Sequence, residues 1–186
     1  MRHDGRGEAI PVTTQAGRPQ SQAAALRRDI IYLIAKILII VLIAVLLFTM
    51  VFGLFYNLDQ SMVPALQDGD LVMFYRFDRN YVAQDTIVVS YDGKNQVRRA
   101  VAVAGDTVDI KDEGVYINGA LQMERNIFTP TNRYVDGIDF PVTVGEGQVF
   151  VLGDDRENSI DSRMYGPINN DDTLGKVMMV LRRRGI

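Results

Sequence analysis

Apolar and polar positions alternate in two different ways along this chain. From Ile37 to Tyr56 there are 20 consecutive residues without a charge, and apolar character reaches back to Ile30 with Lys36 as the one interruption. A helix rising about 1.5 Å per residue crosses a hydrocarbon core of roughly 30 Å in that length. Lys36 can snorkel toward the headgroups. A buried core helix is the alternative, but a domain this small has no room to enclose one. The exit of the run is too aromatic and polar for a cleaved secretory segment. A membrane helix is therefore predicted over residues 26–57, after a polar, disordered tail, residues 1–25, with no apolar period.

Beyond residue 58 the pattern changes to short β-prone runs bounded by turn residues. Leu71–Tyr75 follows Gly69-Asp70, and Thr86–Tyr91 ends at Asp92-Gly93, a hairpin signal answered by Gln96–Val103. Thr107–Ile110 and Val115–Ile117 precede Asn118-Gly119, a second hairpin signal, and Val142–Val144, Gln148–Leu152 and Lys176–Arg182 complete the series. Residues 122–141 lack a pattern and read as a long surface loop. Residues 58–186 are thus predicted to form a mainly β, antiparallel domain. Met62, Phe74, Tyr75 and Phe77 are candidates for an apolar surface beside the bilayer, or for ordinary core.

Charge orients the span. Arg27, Arg28 and Lys36 lie before or within it and Asp59, Asp68 and Asp70 after it, so the N-terminus is predicted to be cytoplasmic and the β domain extracytoplasmic. The net charge of −3 gives no basic field for nucleic acid. With no cysteine and with His3 as the only histidine, a disulfide framework, a thiolate metal site and a Ser-His-Asp triad in the folded domain are excluded. No metal or other cofactor is expected.

Candidate chemistry sits in three places. Ser61-Met62-Val63-Pro64 stands just past the span, where a serine nucleophile would meet polypeptide emerging from the bilayer. Arg98-Arg99 lies in a strand ending at Gly105-Asp106. The segment Gly153–Arg163 crowds Asp154, Asp155, Arg156, Glu157, Asn158, Ser159, Asp161 and Arg163 behind an apolar strand. Its short acidic side chains favour fixed ion pairs, such as Asp161 with Arg163 or Arg156.

Taken in order, the span, Ser61-Met62-Val63-Pro64, Arg98-Arg99 ahead of Gly105-Asp106, and the Gly153–Arg163 segment resemble the type I signal peptidases across nearly all of residues 37–185. The single span and small outer domain are similar to the Gram-positive branch of that family. The resemblance implies a signal-peptidase-like β domain on one transmembrane helix. It makes Ser61 the nucleophile, with Asp59 and Ser61 in the oxyanion region and Met62 and Pro64 on the surface toward substrate and membrane. Asp154, Ser159, Asp161 and Arg163 form the supporting network, Ser159 matching the serine that orients the base. Implied partners are signal peptides or preproteins and the lipid bilayer.

Two positions depart from the family pattern. Its general base is a neutral lysine, and that position is Arg98, whereas a guanidinium keeps its proton in proteins. Arg98 can pair with Asp161 or Asp59, or stabilise an oxyanion. Asp59 replaces the usual serine or glycine and either pairs with Arg98 or faces water. The lysines are Lys36, Lys94, Lys111 and Lys176. Lys94, four residues before Arg98, is displaced by about 13 Å along a strand. Two functions follow: a membrane-bound serine endopeptidase that removes signal peptides, or a non-hydrolytic relative that binds exported proteins by strand addition and assists surface-protein assembly, for example of pilins. A self-cleaving Ser/Lys repressor-type protease is a third, opposed by the membrane span.

Overall fold

A computed structural model describes residues 19–112 and 114–182. Residues 1–18 of the expected tail, His3 among them, and residues 183–186 of the expected β domain lie outside the described residues. Helix α1 runs over Pro19–Val51. The chain divides into two compact units between Val45 and Leu46. The first holds most of α1, whose stretch Gln22–Val51 has a mean hydropathy of 3.2 in its most apolar window, none of it buried. Length and composition suit a membrane crossing: Ile30–Val51 alone spans roughly 33 Å as a helix.

The second unit is β-built. Its strands are β1 (Phe52–Tyr56), β2 (Leu71–Tyr75), β3 (Thr86–Tyr91), β4 (Lys94–Val103), β5 (Thr107–Lys111), β6 (Gly114–Ile117), β7 (Ala120–Leu121), β8 (Val142–Thr143), β9 (Gln148–Leu152), β10 (Ile168–Asn169) and β11 (Thr173–Leu181), with a short helix α2 at Ser162–Tyr165. Among the described residues they form a seven-stranded sheet, β1-β2-β11-β3-β4-β9-β10, and a four-stranded sheet, β7-β6-β5-β8. All pairings are antiparallel. The two predicted hairpins form because Asp92-Gly93 and Asn118-Gly119 all adopt positive φ, which matches the twist of the strands they join. Residues 122–141 carry no regular element beyond their first pairing contacts.

The predicted helix end shifts. Phe52–Tyr56, expected as the outer part of the span, pairs as β1 with β2 from Phe52↔Tyr75 to Tyr56↔Leu71. A short apolar run suits either structure, and pairing with a waiting strand decides it. Gly53 allows the pairing to close: a Cβ there would lie 2.1 Å from Cζ of Phe74.

Period-two alternation builds the core. Ile87 and Val89 of β3 enter one cluster with Tyr81, Ala100, Val149 and Val151, while Val88 enters another with Met62, Leu66, Val72, Phe74 and Val97. Met62 and Phe74 are therefore core, 1% and 3% exposed, whereas Phe77 stands 69% exposed. Met62 offers no surface to substrate or membrane, a correction with a plain cause. It anchors the loop 57–70 onto strands β2, β3 and β4.

Candidate active site

Three segments distant in sequence converge on Ser61. The first is the loop 57–70 that follows β1. Buried Asn57 pins both of its ends: its N–H donates to the Asp70 carbonyl at 2.8 Å, its carbonyl accepts from Gly69 N–H at 2.7 Å, and its side-chain amide donates to the carbonyls of Asp59 (2.6 Å) and Gln67 (3.1 Å). Inside that frame Met62 and Leu66 point into the core, which holds Ser61 at 1% exposure. Pro64 is exposed beyond it.

The second segment is β4, which carries Arg98 opposite Ile87 of β3. The third leaves β9 at Leu152, opposite Arg99 of β4, so the Gly153–Arg163 turn begins beside Arg98. It lies directly on the serine loop. Asp155 N–H donates to the Ser61 carbonyl at 2.9 Å, and a Cβ on Gly153 would come within 2.7 Å of that carbonyl oxygen and 2.1 Å of Ser159 Oγ. Only glycine fits so close an approach.

Asp59, Ser61 and Arg98 form a closed triangle. The Ser61 hydroxyl donates to Asp59 Oδ2 at 2.7 Å, and its backbone N–H donates to Asp59 Oδ1 at 2.9 Å. Arg98 Nη1 lies 2.5 Å from Ser61 Oγ and 2.9 Å from Asp59 Oδ2. Of the partners open to Arg98, the structure brings Asp59 and not Asp161. The rest of the guanidinium is also held: Nε and Nη2 donate to the Ile160 carbonyl at 3.0 and 2.9 Å, Nη2 to Gln96 Oε1 at 2.9 Å, and Nη1 to the Val97 carbonyl at 2.6 Å. Burial pulls the Asp59 carboxyl upward. The hydrogen bonds from the Ser61 hydroxyl and amide and from Arg98, with the charge of Arg98, outweigh it and hold Asp59 below the ordinary carboxylate value.

The supporting residues separate into distinct roles. Asp161 and Arg163 make a fully buried pair, Arg163 Nε to Asp161 Oδ1 at 2.9 Å and Nη2 to Oδ2 at 2.9 Å. Asp161 also accepts from the N–H groups of Gly153 and Arg163, which fixes both ends of the turn. Asp154 takes a bidentate grip from Arg99 at 2.7 and 2.6 Å. Ser159 Oγ is buried without a hydrogen-bond partner among the described residues, and the Ser159 carbonyl accepts from the Tyr134 hydroxyl. Arg98 meets the neighbouring Ile160 carbonyl.

Sequence reading missed Asn57, Glu124 and Tyr134. Glu124, from the patternless 122–141 stretch, holds Arg156 through both carboxylate oxygens at 2.9 and 2.5 Å. Nothing in its local sequence signals this. Asn57 carried a weak signal, since buried asparagines commonly close turns.

Lysines stand apart from Ser61. Lys111 pairs with Asp109 and Lys176 with Asp85, and Lys36 lies over the Tyr32 ring within α1. Lys94, exposed at the start of β4, shares with Asp59, Arg98, Tyr56, Leu58 and Ile160 the lining of a cavity of about 660 Å³. Across the serine loop a smaller cavity of about 290 Å³ is lined by Val63, Pro64, Phe128, Thr129, Asp154 and Asp155. Among the described residues no group of three or more His, Asp or Glu side chains is placed to hold a metal ion.

Comparison with known proteins gives a consistent set of likenesses. A family model described as signal peptidase, peptidase S26, matches residues 30–182. A signal peptidase I of Bacillus licheniformis is 36% identical over 116 residues, covering 55% of this chain and 61% of that protein. The chain thus spans about three fifths of the length of that relative. Signal peptidase IB of Staphylococcus aureus is 33% identical over 136 residues, 63% of this chain and 71% of that protein. A crystal structure of a signal peptidase I from Enterococcus faecalis V583 is 27% identical, covers 53% of this chain and 97% of its own, and superposes with a TM-score of 0.43.

Proposed function

The chain belongs to the signal peptidase family, peptidase S26, and from that premise we propose that it is a membrane-anchored serine endopeptidase that removes signal peptides from exported preproteins. The observation that carries this reading is Ser61. Its hydroxyl sits at the meeting point of three sequence-distant segments, hydrogen-bonded to a carboxylate and a guanidinium that both line a cavity of about 660 Å³. A hydroxyl whose proton is directed at a base and whose oxygen faces a cation is arranged for attack on a carbonyl. Nine residues lie between Val51 and Ser61, which supports a serine close to the membrane end of the span. The basic residues before the span put the N-terminus in the cytoplasm and the β domain outside, where translocated preproteins emerge.

One observation favours a second reading. The Ser61 amide and hydroxyl are both occupied by Asp59 in this arrangement. Asp59 therefore takes up a backbone donor of the oxyanion region. A site locked in that way would bind exported polypeptides without cleaving them.

The test uses full-length protein in detergent with a signal-peptide-bearing preprotein. Release of the mature chain by the wild type and its loss in Ser61→Ala supports the peptidase. Retained binding with no cleavage by either form establishes the binder instead.

A further inference from the structure

The family membership supplies a nucleophile but leaves Ser61 without a lysine, and the geometry offers another acceptor. We propose that Asp59 is the general base that takes the Ser61 proton in this chain, with Arg98 as the cation that makes the transfer productive. This inference rests on the peptidase reading above.

Reach comes first. A general base must lie within roughly 2.6–3.2 Å of the proton it abstracts, and Asp59 Oδ2 lies 2.7 Å from Ser61 Oγ. No lysine contacts that oxygen among the described residues; its second partner is Arg98, which cannot accept a proton. Asp59 is the acceptor in place. Asp59 is also reached by water, its side chain 32% exposed at the edge of the 660 Å³ cavity.

The charge of Arg98 opposes proton uptake by Asp59, whose carboxyl it helps hold below the ordinary value, and favours the oxyanion that forms in the same step. Before transfer, Asp59 and Arg98 form a neutral pair at 2.9 Å. As Ser61 Oγ bonds to the peptide carbonyl carbon, its proton passes to Asp59 and the carbonyl π electrons move onto oxygen. Asp59 is then neutral, and the positive charge of Arg98 is uncovered beside the new oxyanion. The field that stabilises the transition state thus appears when negative charge develops there. Collapse of the tetrahedral species breaks the C–N bond, and the leaving amine takes the proton from Asp59. Water then attacks the acyl ester, again giving its proton to Asp59, and Ser61 Oγ departs with that proton. Protonation of Asp59 also weakens its hold on the Ser61 N–H, returning that donor to the oxyanion.

A carboxylate base and a lysine base differ in their pH dependence. A lysine must lose its proton, so its activity rises toward alkaline pH. Asp59 works in its ionised form. The charged group facing it is Arg98, and Lys94 and Tyr56 are the other titratable groups lining the cavity. Arg98 favours the carboxylate form, so activity persists through mildly acidic pH and falls only as Asp59 is protonated.

The experiment measures kcat and KM for preprotein cleavage between pH 4 and 9 on full-length wild type, Asp59→Asn, Asp59→Glu and Ser61→Ala in detergent. The expected wild-type profile for kcat/KM is flat from neutral pH down to about 5. Asp59→Asn lowers kcat by about 10²-fold or more with KM little changed, and Asp59→Glu restores part of the rate. Cleavage by Asp59→Asn at the wild-type rate overturns the inference but leaves the peptidase reading standing. So does a wild-type profile whose acid limb lies at or above pH 7, a result that does not depend on how well any variant folds. Cleavage by Ser61→Ala at the wild-type rate, or none by wild type, overturns the peptidase reading itself.

Discussion

At the scale of single residues, Asp59 joins stability to pH. Its folded-state value lies below the ordinary 3.8, so ionised Asp59 stabilises the fold above the unfolded-state value. That contribution is lost as pH falls through the depressed folded-state value. Acid titration of unfolding, followed by circular dichroism, is expected to show Asp59→Asn with a shallower loss of stability than wild type below about pH 4. Equal slopes would mean that Ser61 and Arg98 do not hold the carboxylate in solution. The triangle itself was only partly readable from sequence. Ser61, Arg98 and Asp59 each stood out as candidates, but whether Asp59 faces water or Arg98 depends on how a loop after β1 and a strand residue 39 positions later meet. Ser159 shows the same limit: its motif position is clear, yet its Oγ makes no hydrogen bond and the adjacent carbonyl receives Arg98.

At the scale of elements, the Gly153–Arg163 turn is held by an ion pair that water does not reach. Removing one partner of such a pair leaves the other charge buried, which typically costs about 3–5 kcal/mol. Asp161→Ala also strands the N–H groups of Gly153 and Arg163. Chemical denaturation of Asp161→Ala is therefore expected to show a loss of that order. A loss under about 1 kcal/mol would mean the turn has a different anchor. The elements themselves were largely legible. β2, β3 and β9 stand where the sequence put them: β2 alternates between two faces, while β3 and β9 are short apolar runs bounded by turn residues and buried on both faces. β1 and β10 were not. β1 is apolar throughout and continuous with the span, so periodicity carries no signal there. β10 has two residues and exists only through pairing with β9.

At the scale of the whole molecule, the apolar helix and the charges around it define a topology to be tested. The chain has no cysteine, so single cysteines report without background. In intact cells, a membrane-impermeant thiol reagent is expected to label Arg125→Cys, which is exposed in the long loop of the β domain, and to spare Thr14→Cys until the membrane is opened. The reverse pattern would place Ser61 on the cytoplasmic side and overturn the proposal that exported preproteins are cleaved.

What the sequence determined by itself was set by local chemistry. A long charge-free run demands a nonpolar surrounding, alternation demands a sheet with a buried face, and Asp92-Gly93 and Asn118-Gly119, each set between two β-prone runs, favour hairpins. Each of these is a property of neighbours along the chain. Tertiary structure alone decided that Met62 is core, that Phe52–Tyr56 leave the helix for the sheet, that Glu124 holds Arg156, and that Asp59 closes on Ser61 and Arg98. Apart from the Asp59–Ser61 contact, which spans two positions, these depend on contacts between separate segments of the chain, whose free energy is settled by burial and pairing once the chain has folded. No local pattern carries that information.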